Sequence, residues 1–216
     1  MSNPNPLVTR PASRRLVTWI GAAALASYVG FIAWHAVIVA GGADSSGYLN
    51  SARLLAAGRL ATELRTPPEF GPQPALNQMH FLPQGFYPSR NHGQLTPTYP
   101  TGLPLHFAAA GKMLGWSLGP WVVVLAAAGA AVWLCYLTAR ELELSRALAA
   151  AGAVMLAAFP VFIFTSIQPL SDTPATAWSL ATLYAALRAR RDWRWAAGAG
   201  LAMAMAVLVR PTNLLL

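Results

Sequence analysis

An uncharged run extends from Leu16 to Ala40, directly after Arg10, Arg14 and Arg15. As a helix rising 1.5 Å per residue, about 25 residues cover roughly 37 Å, more than the roughly 30 Å of a hydrocarbon core. The run therefore reads as a membrane span. A cleaved secretory signal is the rival, because the run ends in the small residues "AGGA" and "SRRLV" faintly resembles a twin-arginine signal. The apolar part of such a signal is only about 7–15 residues long, which favours the span. The preceding arginines put residues 1–15 in the cytoplasm and bring the chain out near Asp44.

Composition supports a membrane protein. Of the residues, 56% are hydrophobic and 10% charged, against about 25% charged in soluble domains. The net charge of +8 comes from 15 Lys plus Arg against 7 Asp plus Glu. A nucleic-acid reader would gather such cations on one face, whereas here they form short clusters between apolar runs, so nucleic acid is not an expected partner. The single cysteine, Cys135, excludes a disulfide framework or a cysteine-based zinc site within this chain.

Residues 41–101 contain no spanning segment and are expected to form a long outer loop. It opens with "SSGYLNSARLLAAGRLATEL", where Tyr48, Ala52, Leu55 and Leu60 recur at roughly helical spacing beside Arg53 and Arg59, as in a helix lying along a membrane surface. The prolines and glycines that follow preclude long regular elements. Gly102–Trp116, with His106 and Lys112, is about 22 Å long as a helix and too short to cross. Pro120–Ala139 and Ala147–Thr165 read as spans, the second kinked at Pro160. Ala175–Leu187 and Trp195–Val209 flank "RARRDWR", which holds four arginines and one aspartate. If the 102–116 helix does not cross, that cluster lies inside, as positive charge prefers, and Asp44, Asp172 and Arg210 share the outer side. Ala196, Gly200 and Ala204 share one helix face, suited to close helix packing. The expected fold is all-α, a polytopic transmembrane helical bundle whose long outer loop carries juxtamembrane helices. The sequence ends in "TNLLL", so residues 16–216 are expected to be the N-terminal transmembrane part of a longer protein.

Three charged residues are candidates for chemistry. Asp44 is the first acid after the first span and is read either as a helix cap or as a carboxylate that takes a proton from a hydroxyl or helps hold a cation. Asp172, in "PLSDTP", shows the same two readings. Arg210 follows a run of apolar residues, where a guanidinium needs a headgroup or a partner anion. The histidines at 35, 80, 92 and 106 show no paired metal-binding spacing.

The order of these features resembles the N-terminal half of GT-C superfamily membrane glycosyltransferases, in the protein mannosyltransferase-like and lipid A sugar transferase-like group. The resemblance rests on "ADSSGYLNSARLLAAGRL", "TPTYPTGLPLHFAAAGKMLG", "SIQPLSDTPATAWSLATLYAAL" and "GLAMAMAVLVRPTNLLL" in that order. It implies a multi-pass enzyme of the bacterial inner membrane that moves a sugar from a polyprenyl-phosphate donor to a glycan, lipid or protein acceptor at the outer face, among membrane lipids. It matches Asp44 to an essential acid after the first span, Asp172 to an acid of the second outer loop, and Arg210 to a late "RP" motif. On that reading Asp44 and Asp172 are catalytic, and Tyr48, Arg210, Tyr99 and His92 bind substrate. Some relatives carry paired acids or a lysine before the proline motif, whereas here Ser45 follows Asp44, and Thr98 and Tyr99 precede Pro100. Whether Asp44 and Asp172 hold a divalent cation therefore stays open. The alternative reading is a permease or lipid transporter, in which Asp44 and Arg210 gate or pair.

Overall fold

A computed structural model describes residues 11–37, 39–65, 69, 81–89 and 93–215 of the chain. Helices dominate it. Their order is α1 (Pro11–His35), α2 (Ala43–Ala56), α3 (Gly102–Leu114), α4 (Gly119–Glu141), α5 (Arg146–Ala158), α6 (Pro160–Ser166), α7 (Asp172–Ala189) and α8 (Trp195–Val209). Among the described residues three short strands lie between α2 and α3: β1 (Thr62–Glu63), β2 (Phe86–Pro88) and β3 (Gln94–Pro97). They form an antiparallel sheet of order β1-β3-β2. Pro88 and Pro97 end β2 and β3, and no strand among the described residues exceeds four residues, but the sheet itself was not anticipated from the sequence.

Among the described residues two helices qualify as spans by length and composition, Leu16–His35 and Gly119–Glu141, and a third if the bent pair α5–α6 counts as one. The first span stops at His35, short of Ala40. There the Val37 N–H donates to the Ile167 carbonyl at 2.8 Å, drawing the chain away from its helix. The break between α5 and α6 falls at Pro160 with a bend of 61°, as expected of a residue that lacks an N–H and clashes with the preceding turn. α7 is not apolar enough, and α8 at 15 residues is too short, to qualify on the same measure.

Contacts between helix ends settle how the helices run. The Val37–Ile167 bond puts the end of α1 beside the end of α6. At the opposite end of the bundle Glu141 takes Arg188 at 3.1 Å and Arg191 at 3.2 Å, so α4 and α7 finish together. α3 starts where α8 ends, with Gly102 against the backbone of Leu208 and Val209, and the turn after it returns Gly119 against Ala110 and Gly111 of α3. Both ends of α3 thus lie at the same end of the bundle. It does not run from one end to the other, as its length suggested.

One apolar cluster joins five helices: Tyr48 and Ala52 of α2, Leu103, Phe107 and Ala108 of α3, Val124 of α4, Ala175 of α7 and Val209 of α8. The helix expected after the first span is present as α2 and packs on α3, while Leu60 lies beyond its end, 73% exposed. α2 stops because Gly58 adopts φ +70°, which closes the last turn with the Gly58 N–H donating to the Leu55 carbonyl and the Arg59 N–H to the Leu54 carbonyl. On α8 the packed face is Ala202, Ala206 and Val209, while Ala196, Gly200 and Ala204 are exposed. Small residues occur on both faces of this helix, and only the neighbouring helix selects between them.

The Gly102 contact has no room for a side chain, since a Cβ there would lie 2.4 Å from backbone atoms of α8. Overpacking of this kind costs about 1–3 kcal/mol. Gly102→Ala should lower the thermal midpoint in detergent, whereas Gly198→Ala, with open space around it, should leave it unchanged or raise it.

Candidate active site

The sequence "GGADSSGY" starts α2 with two glycines, and Gly42 occupies the capping position without any side-chain bond. Asp44 is the second residue of the helix, so its carboxylate is not the cap. Its Oδ1 accepts the Tyr99 O–H at 2.5 Å. The Tyr99 ring reaches Asp44 through a slot between two glycines: a Cβ on Gly47 would lie 2.2 Å from the ring, and one on Gly85 2.6 Å from it. Gly85 also has φ +82°, a conformation that favours glycine on its own account. The Thr98 N–H donates to the Gly85 carbonyl at 3.0 Å, which holds the segment after β3 against the turn before β2.

Tyr48, one turn on from Asp44, is buried and lies beside Tyr99, with ring centroids 4.7 Å apart. Its hydroxyl donates to the Ser171 Oγ at 3.0 Å. Asp172 opens α7 at the next position, and its carboxylate accepts from Arg210 Nη1 at the end of α8. The geometry follows from two antiparallel helices: an acid suits the positive N-terminus of α7, and a cation suits the negative C-terminus of α8. Pro211 then ends the helix, and Asn213 donates to the Ala206 carbonyl at 3.0 Å. Both side chains of the ion pair remain more than two-fifths exposed.

The electrostatics describe one connected cluster. Tyr99 is pushed up to about 12 from an ordinary value of 10.0, chiefly because its proton is held by Asp44, with burial and the Asp44 charge adding to the effect. Tyr48 is raised first by burial, opposed by its bond to Ser171; the charges of Asp44 and Asp172 push it further up and Arg210 pulls it down. Tyr48 thus feels all three charged candidates at once.

The structure brings Asp44, Tyr48, Tyr99, Asp172 and Arg210 to one end of the bundle. His92 lies outside the described residues. Among the described residues no group of three or more His, Cys, Asp or Glu side chains is placed to share a metal ion. Sequence reasoning missed Ser171 as the partner of Tyr48 and the two glycines that admit Tyr99. It also missed the pairing of His106, whose Nε2 accepts the Trp178 N–H at 3.2 Å while Nδ1 lies 2.7 Å from the Gly102 carbonyl. That pattern requires the proton on Nδ1.

A sequence profile described as dolichyl-phosphate-mannose-protein mannosyltransferase matches residues 107–216, half of the chain. The chain belongs to this mannosyltransferase family. The family is of GT-C type, in line with the resemblance read from motif order, and its members are membrane glycosyltransferases. No curated protein and no solved structure matches the chain. The matched segment of this family member includes Asp172 and Arg210, whereas Asp44, Tyr48 and Tyr99 precede it.

The Tyr99–Asp44 bond predicts a titration. Because the folded-state value is raised above 10.0 to about 12, the stability it contributes is intact below about pH 10 and is lost as pH climbs toward 12. In tyrosinate difference spectra of wild type against Tyr99→Phe, the Tyr99 transition should appear near the top of that interval. Asp44→Asn should move it down toward the ordinary value.

Proposed function

We propose that this chain catalyses transfer of a sugar from a polyprenyl-phosphate donor to an acceptor hydroxyl, with Asp44 as the general base. The observation that carries the reading is the Tyr99 O–H seated on Asp44 at 2.5 Å, beside an exposed Asp172–Arg210 pair. In the reaction an acceptor hydroxyl takes the place of the phenol on Asp44. Its O–H bond breaks toward the carboxylate as its oxygen attacks the anomeric carbon. The bond from that carbon to the phosphate oxygen breaks, and the electron pair leaves on the polyprenyl phosphate. Arg210 neutralises the phosphate through a charge-assisted, bidentate contact. Asp172 orients Arg210 before the donor arrives, and Tyr48 lines the pocket between the two halves.

Arg140, Arg146, Arg188, Arg190, Arg191 and Arg194 occupy the ends and turns of α4, α5, α7 and α8, opposite the end that carries Asp44. Positive charge stays on the cytoplasmic side, which turns the site to the outer face of a bacterial inner membrane. In a Cys135→Ser background, an impermeant thiol reagent should label Tyr87→Cys in intact cells and Arg190→Cys only after permeabilisation. The reverse pattern would sink the outward orientation.

Transfer from a polyprenyl-phosphate sugar, measured in liposomes with the full-length protein, tests the chemistry. General-base catalysis is worth about 10² to 10⁴ in rate, so Asp44→Asn should lose that much turnover while donor affinity is kept. Arg210→Gln should weaken donor binding as well as turnover, because the phosphate is charged in the ground state too. Near-normal transfer by Asp44→Asn would refute the assignment.

A further inference from the structure

A second feature of the same end of the bundle takes no part in the proposed reaction. Between the last turn of α2 and the end of α3 lies an open cleft of about 620 Å³, lined by Arg53, Ala56, Ala57, Lys112 and Trp116. Arg53 is nine residues after Asp44 on α2, hence about 14 Å away along the helix. The cleft is built rather than incidental. Gly111 lets the Trp116 ring lie on α3, since a Cβ there would come within 2.9 Å of the ring. The Arg53 guanidinium then sits 5.7 Å from the centroid of that ring and is held at the cleft by cation–π attraction. Lys112, the sole lysine of the sequence, stands on the opposite wall. Neither cation has an ion-pair partner among the described residues.

The level of the cleft along the bundle bears on its occupant. Trp116 precedes α4 by three residues, so the cleft lies at the level where an apolar span begins. Met113, Leu114 and Leu118, 81%, 47% and 53% exposed, form an apolar shelf beside it. Tryptophan at the boundary, two unpaired cations and an apolar shelf are what a membrane lipid meets with its phosphate and its chains respectively. We infer that the Arg53–Lys112–Trp116 cleft binds the phosphate headgroup of an anionic membrane lipid, with the acyl chains against Met113, Leu114 and Leu118. The site is separate from the Asp44 cluster and does not depend on the reaction proposed for it.

Native mass spectrometry of the full chain, released from nanodiscs of mixed phosphatidylglycerol and phosphatidylcholine, tests this without an activity assay. Wild type should retain phosphatidylglycerol in preference. A cation near a membrane surface changes anionic-lipid affinity about fivefold, so Arg53→Gln with Lys112→Gln should reduce that preference about 25-fold. Lys112→Arg should preserve it, which separates charge from folding, and Trp116→Leu should weaken it by freeing Arg53. Unchanged preference in the double variant overturns the proposal. So does release of the retained lipid by millimolar inorganic phosphate, which would make this a site for a soluble anion, or by an equimolar amount of polyprenyl phosphate, which would make it part of the donor path.

Discussion

The burial of Tyr48 is the constraint on which the rest of the site depends. Its ring belongs to the cluster that joins α2 to α3, α4, α7 and α8, and its hydroxyl crosses to Ser171, 123 positions along the chain. A buried hydroxyl without a partner costs more than a made bond contributes, so α2 can dock only in the register that offers Ser171. That register carries Asp44, one turn earlier, to the mouth of the α7–α8 hairpin. It also gives Tyr99 a neighbouring ring to lie against. Tyr48 therefore sets where the charged groups meet, although it carries no charge itself.

Much of the helical framework was legible because its causes are local. Hydropathy located the two long spans, Pro160 located the break, and the flanking Arg194 and Arg210 bounded α8 at Trp195–Val209. The failure of α3 to run the length of the bundle followed from its length and the placement of the arginines. Other features were not legible because a distant part of the chain decides them. The first span ends early through a bond to Ile167, and the packed face of α8 is chosen by its neighbour. The sheet has strands too short to show any alternation.

At the site the division is similar. Asp44, Asp172 and Arg210 could be singled out as charges placed where a membrane chain has few, and position alone left Asp44 divided between capping and chemistry. The structure removes the capping role by giving it to Gly42 and seats a tyrosine hydroxyl on the carboxylate instead. Nothing in "PQGFYP" or "SSGY" announces that Gly85 and Gly47 form a slot for Tyr99, because the slot exists only when two segments about 40 residues apart meet. The segment matched by the mannosyltransferase family supplies the Asp172–Arg210 pair, and the segment before it supplies the carboxylate and both tyrosines.

The shortness of α8 bears on the membrane itself. Fifteen apolar residues separate the arginine-bearing turn from Arg210, roughly 22 Å of helix against roughly 30 Å of hydrocarbon. If α8 crosses the bilayer despite its length, its charged ends are not drawn into the oil, and the mismatch is met by thinning around the helix or by the flanking arginines reaching out to the headgroups. Thinning would pull the headgroup plane inward next to Arg210. On the proposed reaction, such a dimple would shorten the path of a lipid-borne phosphate to the guanidinium.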